Sequence, residues 1–94
     1  MELSERIIQT LENEGFTSVY EVSEVIGTVH KERISAGTMS IVVTDGSIEY
    51  AFAGNAGTLR TGNRLDIPAC IPYYITAGPA GCNYVVGEKL IKSI

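Results

Sequence analysis

The sequence contains one histidine, two cysteines, three prolines and no tryptophan, and only 19% of its 94 residues are charged. One histidine cannot by itself make a mononuclear metal site, and two cysteines are too few for a disulfide-stapled scaffold. Sparse charge beside a hydrophobic fraction of 45% excludes a disordered chain. No apolar run approaches the roughly 20 residues of a membrane-spanning helix. Seven Lys and Arg against eleven Asp and Glu give a net charge of −4. No basic stripe exists, so neither nucleic acid nor an anionic membrane is expected as a partner. The start, Met1-Glu2-Leu3-Ser4-Glu5, lacks the basic and apolar regions of a targeting signal. A cytoplasmic protein with free thiols at Cys70 and Cys82 is the expectation.

What is present fits one domain spanning residues 1–94. A chain this short buries only about 60–65% of the surface that its unfolded form exposes, so a partner subunit would help it. The acids concentrate at one end: residues 1–24 hold six glutamates against Arg6 alone. Residues 4–14 read as a short helix, with Ser4 as N-cap and Ile7, Ile8 and Leu11 on one face. Gly15 is a left-handed stop, after which Phe16 packs back. A helix of this length needs a docking surface, and its acidic face is read as solvated.

From residue 17 the chain becomes rich in β-branched and aromatic residues, with turn signals every eight to twelve positions. Asp45-Gly46 predicts a two-residue hairpin turn. Alternation then places Met39, Ile41, Val43, Ile48, Tyr50 and Phe52 on a buried face, with Val42 as an exception on the wetter one. A further turn falls at 54–57, with short strands near 58–60 and 64–67. A second hairpin joins 71–77 to 82–87 through Gly78-Pro79-Ala80-Gly81. Seven or eight short antiparallel strands and one helix predict an all-β sandwich or barrel. In that arrangement Cys82 pairs near Thr76 or Ala77 and Cys70 near Glu88. The two then lie roughly 20 Å apart at about 3.3 Å per residue, too far for a disulfide.

The segment from Gly62 to Tyr73 resembles the second signature motif of the cupin superfamily: glycine, five residues, proline, one residue, glycine, two residues, histidine. Gly62 and Pro68 fit. Cys70 stands where the second glycine is usual and Tyr73 where the histidine is usual. Gly27 and Gly46 frame a stretch whose length is similar to that of the first motif. The resemblance covers about residues 17–89. It implies a small antiparallel double-stranded β-helix, the jelly-roll barrel of cupins, preceded by the helix at 4–14.

In metal-binding cupins two histidines and a glutamate of the first motif, with the histidine of the second, hold one ion. Here those positions are Arg33, Ser35, Met39 and Tyr73. A guanidinium has no lone pair to donate, serine is a poor ligand, a thioether prefers soft metals, and a phenol must lose its proton. No metal and no cofactor are expected, and metal-dependent catalysis is not. His30, the one histidine, alternates away from this face and is read as a surface or interface residue.

Arg33, Ser35, Met39, Ile41, Tyr50, Phe52 and Tyr73 are expected to face the interior, a mostly apolar set with a few polar groups, as in a small-molecule pocket. Arg33, Ser35, Met39, Tyr50, Phe52 and Tyr73 are the candidate ligand-binding residues. Arg33 either lies at the mouth, paired or hydrated, or binds an anionic group of a ligand with Tyr73 and Ser35. Three functions follow: a metal-free binding module for a small metabolite, anionic or neutral; a metal-independent isomerase or lyase using Tyr73 and Arg33; or a structural dimer whose barrel is filled by its own side chains. The resemblance implies a homodimer paired through the helix and the strands near 18–31, where an unpaired edge is a liability. Light scattering at micromolar concentration is expected to return twice the chain mass, and a monomer would refute the pairing.

Overall fold

The computed structural model describes residues 3–24, 33–34 and 37–90, with backbone alone at 33, 34, 79, 80 and 90. A helix, α1 (Leu3–Asn13), precedes six strands: β1 (Ser18–Glu24), β2 (Arg33–Ile34), β3 (Gly37–Phe52), β4 (Asn55–Arg60), β5 (Arg64–Ile67) and β6 (Pro72–Leu90). All pair antiparallel in one sheet. The helix begins one residue earlier than its expected start, so Ser4 lies in its first turn instead of capping it. No described helix is long and apolar enough to cross a membrane.

The two expected hairpins, at Asp45-Gly46 and at 78–81, do not exist. β3 runs straight through Asp45 and Gly46 for 16 residues, and β6 runs alongside it for 19. Gly37 to Gly46 pair with Leu90 to Cys82, and Ile48 to Phe52 pair with Ala77 to Tyr73. The register shifts between Val43 and Asp45 and again between Gly46 and Ile48. Residues 78–81 therefore form an insertion opposite the corner of β3. Gly46 and Gly81 hold φ of 78° and 77°, and a Cβ on Gly46 would strike the Gly81 carbonyl oxygen. A hairpin turn and a bulged corner both require this backbone conformation, so Asp-Gly announces either one. The real two-residue turn is Ala53-Gly54, with φ of 49° and 78°, which pairs Phe52 with Asn55.

Because β3 and β6 bend together, six strands supply eight segments in two leaves. One leaf is β1, residues 82–90, residues 37–46 and β5; the other is β2, residues 72–77, residues 48–52 and β4. The sheet is folded over, with β1, β2, β4 and β5 at its edges, rather than closed into a continuous barrel. Side chains from both leaves form one cluster, including Met39, Ile41, Val43 and Ile48 with Leu59, Ile67, Tyr73, Ile75, Tyr84 and Val86. The predicted buried face of β3 is thus correct although its predicted pairing is not: the inward set is odd from Met39 to Val43 and even from Ile48 to Phe52, and the register shifts at the corner change that parity as the expected two-residue turn would have. Tyr50 and Phe52 pack half-buried against the same cluster.

Val42, the exception, is buried because it pairs with Val85 on the opposite face, the one covered by α1. Leu11, Phe16 and Val85 form that outer cluster, flanked by Ile7, Ile8 and Val19. The helix ends as predicted. Gly15 has φ of 96°, its N–H donates to Glu12 O at 3.0 Å, and the Phe16 N–H donates to Leu11 O at 3.1 Å. Those two bonds and the Leu11–Phe16 contact constitute a Schellman motif.

A polar clamp holds the helix end to the sheet. The Arg64 guanidinium donates to both Glu14 carboxylate oxygens at 2.7 Å, and its Nε donates to Asp66 Oδ1 at 2.8 Å. Ser40, fully buried, donates its hydroxyl to the same Asp66 oxygen at 2.8 Å. Lys89 Nζ donates to Glu14 O at 2.8 Å and lies 4.7 Å from the centre of the Phe16 ring. The bonds from Arg64 hold the Glu14 carboxyl below its ordinary range. Burial alone would raise Asp66, but bonds from Arg64 and Ser40 carry it below the ordinary value too.

Two outcomes test these assignments. A carboxylate with a lowered folded pKa contributes stability above its unfolded pKa and loses it as pH falls toward the folded value. The wild type should therefore resist urea better than Glu14→Gln at pH 7, with the gap closing below about pH 4. A gap that does not narrow at all as the pH falls from 7 into the acid range would contradict the clamp. Ala53 and Cys70 carry side chains at φ of 49° and 63°, where an L-residue costs roughly 1–2 kcal/mol. Ala53→Gly and Cys70→Gly should each gain about 0.5 kcal/mol after the added unfolded-state entropy of glycine, whereas Gly54→Ala should lose about 1 kcal/mol. Denaturant midpoints at unchanged m-value measure all three.

Candidate functional site

Between the leaves lies a cavity of about 110 Å³ walled by Tyr20, Val22, Glu24, Met39, Ile41, Tyr73, Ile75, Tyr84 and Val86. Strand alternation builds it. Tyr20, Val22 and Glu24 are the even positions of β1, opposite Val86, Tyr84 and Cys82 of β6. Met39 and Ile41 come from β3, while Tyr73 and Ile75 come from the other leaf. Tyr20, 44% exposed, stands at the solvent edge, and Tyr73 and Tyr84 are buried.

The structure brings together two of the six predicted ligand-binding residues, Met39 and Tyr73, in the wall of this cavity. Tyr50 and Phe52 lie further along β3, with ring centroids 6.1 Å apart and planes inclined by 39°. Phe52 instead borders a wider, open apolar hollow of about 560 Å³ around the Ala53-Gly54 turn, Ile71, Pro72 and Tyr74. Among its described lining residues the one titratable group is the Tyr74 phenol, whereas a carboxylate and three phenols line the smaller cavity. Arg33 is described by its backbone, which pairs with Tyr73; its side chain, Ser35 and His30 lie outside the described residues. The cavity residues that sequence reasoning missed are Tyr20, Val22, Glu24, Ile75, Tyr84 and Val86. Period-two alternation over 20–24 and 82–86 was the available signal. In the sequence Glu24 reads only as one of the acids of the N-terminal end.

Glu24 and Tyr84 dominate the electrostatics. The Tyr84 hydroxyl donates to Glu24 Oε1 at 2.8 Å. Burial first, and then that bond to a carboxylate, push the Tyr84 phenol far above the usual tyrosine range, so it stays a neutral donor. Burial, reinforced by the Glu24 charge, likewise raises the Cys82 thiol. Such a thiol is a packed apolar group rather than a nucleophile. Cys82 is buried and Cys70 exposed, and both are free. Their surroundings differ from the expected ones, since Cys82 pairs with Glu24 and Gly46 rather than with Thr76 or Ala77. With no hairpin folding 82–87 onto 71–77, nothing sets Cys70 beside Glu88, which pairs with Ser18 and Met39.

Backbone geometry explains the motif positions. Gly62 has φ of 88° in a turn where the Asn63 N–H donates to Arg60 O at 2.8 Å and the Gly62 N–H to Val43 O at 2.8 Å. Cys70, at the usual place of a second glycine, adopts the left-handed backbone that glycine tolerates best. The frame is therefore preserved where one of its glycines is not. Of the positions where metal-binding cupins carry ligands, Met39 and Tyr73 reach the cavity. A thioether and phenols beside a single carboxylate do not fit a divalent ion that such cupins hold with three imidazoles and a carboxylate. Among the described residues no three His, Cys, Asp or Glu side chains gather as a ligand set.

Neither a protein-family model nor a curated protein matches the chain. Solved structures do. A cupin superfamily protein from Desulfitobacterium hafniense superposes with a TM-score of 0.69 at 15% identity, over 81% of each chain. An RmlC-like cupin from Shewanella frigidimarina gives 0.70 at 12% identity, over 80% of this chain and 67% of that one. A DMSP lyase from Ruegeria pomeroyi gives 0.69 at 14% identity, over 81% of this chain and 40% of the lyase. Together with the two bent ladders and the glycine frame, these similarities establish an all-β cupin fold, a double-stranded β-helix with one short helix.

Proposed function

We propose that this cupin-type domain binds a small metabolite between its two leaves without a metal ion. The observation that supports the reading is the cavity itself, in which an aliphatic wall meets three phenols and a carboxylate. Few polar groups converging in an apolar hollow are what orientation-specific binding requires. A volume near 110 Å³ is somewhat below the roughly 150 Å³ of an apolar cavity that accepts benzene, so the space takes a small molecule or one end of a larger one. A barrel filled by its own side chains, the purely structural alternative, would leave no such space.

A second reading draws on Glu24. A metal-independent isomerase or lyase needs a base to complement Tyr73, and Glu24 supplies a carboxylate in the same cavity. Cupin-type frames include at least one enzyme among the similar structures, the lyase from Ruegeria pomeroyi.

A small-metabolite screen observed by amide chemical shifts tests both. Perturbations should cluster on β1, on residues 37–43 and on residues 73–86. Val22→Phe, which fills the cavity from an edge strand, should weaken binding at least tenfold while the spectrum stays folded. Unchanged binding in that variant would sink the reading. Arg33→Ala separates ligand classes, since an unchanged affinity eliminates an anion held by that guanidinium. Turnover of a bound compound, abolished by both Glu24→Gln and Tyr73→Phe, would move the protein from binder to enzyme.

A further inference from the structure

We infer that the corner of β3 is a site of covalent modification, at which Asp45 isomerises to isoaspartate without an enzyme. The Gly46 main-chain nitrogen attacks the carboxyl carbon of the Asp45 side chain in its acid form. A C–N bond forms and closes a five-membered succinimide, while the carboxyl hydroxyl leaves with the Gly46 amide proton as water. Water then adds to the main-chain carbonyl of residue 45 and breaks its bond to the same nitrogen. The chain thereafter runs through the former side chain, and the former main-chain carbonyl ends as the free acid. The water lost in the first step is regained in the second, and no electrons change hands.

The corner favours this chemistry in three ways. Gly46 has no side chain to shield its nitrogen, and the fold holds it to glycine, since a Cβ there would strike the Gly81 carbonyl oxygen. Asp45 is exposed, and among the described residues no hydrogen bond or ion pair holds its carboxylate. Its pairing with Asn83, and that of Gly46 with Cys82, are two rungs isolated between register shifts, because neither Thr44 nor Ser47 has a partner on β6. Two isolated rungs open locally more readily than an unbroken ladder, and opening lets the nitrogen reach the side chain. Asp66, the other aspartate of the chain, is the internal contrast. Arg64 and Ser40 both bond its Oδ1, and fully buried, β-branched Ile67 follows it. Isoaspartate adds one carbon to the main chain where β3 passes from one leaf to the other, so the register with β6 is displaced and stability falls.

The test ages the full chain at about pH 6 and physiological temperature, with a free peptide of residues 41–50 as the clock. When half the peptide has isomerised, the protein is unfolded and digested with a protease that cleaves before aspartate but not before isoaspartate. The expected result is resistance at residue 45 at least tenfold above that at residue 66, together with an aged fraction that unfolds at lower urea concentration. Urea well below the midpoint multiplies the globally unfolded population and should leave the Asp45 rate nearly unchanged. Asp45→Asn gives a second readout, because it closes the same ring by losing ammonia and should gain mass at residue 45 as the ring hydrolyses. Cleavage before residue 45 as complete as before residue 66 would overturn the inference, as would an Asn at 45 that keeps its mass. A rate that climbs in step with the unfolded population would overturn it too, since isomerisation would then belong to the unfolded chain and not to the corner.

Discussion

The joint bend of β3 and β6 is the constraint on which the rest of the molecule depends. Two strands of 16 and 19 residues pair along nearly their full length, yet a twisted ladder that long cannot enclose a core while it stays straight. The register shifts around Gly46, and the insertion at 78–81 opposite, turn the ladder over on itself. Gly46 is so close to the Gly81 carbonyl that no side chain fits there. With the bend in place, the inward residues of both halves face each other. Met39 and Ile41 from one leaf then share a space with Tyr73 and Ile75 from the other.

That geometry also explains why the outer surface needs a helix. Strand alternation sends Val42, Val85 and Val19 away from the core, and they would otherwise form an apolar patch. Leu11 and Phe16 cover this face, and Gly87 leaves space for the Phe16 ring. The Schellman stop aims Phe16 at it, and the Arg64 and Lys89 bonds to Glu14 fix the helix end. Arg64 follows directly on the Gly62-Asn63 turn, so the loop that frames the core also anchors the helix.

The cavity is polar in a particular way. The Tyr84 phenol is bonded to the Glu24 carboxylate, and the charged member sits on an edge strand instead of among the motif positions. In a cupin-like frame where two of the usual ligand positions carry Met39 and Tyr73, the hydrogen-bonded polar pair lies on the adjoining strands, where Glu24 of β1 accepts from Tyr84 of β6.

Much of this was legible in the residues themselves. The helix and its Gly15 stop, the inward face of β3, the all-β class and the glycine–proline spacing all follow from local rules, because backbone propensity and the period of side-chain alternation act over a few residues. The partners of the strands were not legible. Asp45-Gly46 specifies a backbone with positive φ, and whether that backbone reverses the chain or bends a long strand depends on β6, which is distant in sequence. The site followed the same division. Met39 and Tyr73 could be placed from motif spacing, whereas Glu24 and Tyr84 became neighbours only through the β1–β6 register. Sequence alone determined which residues of β3 face inward; tertiary pairing decided which side chains meet, because alternation is read within a short stretch of chain and proximity is a property of two.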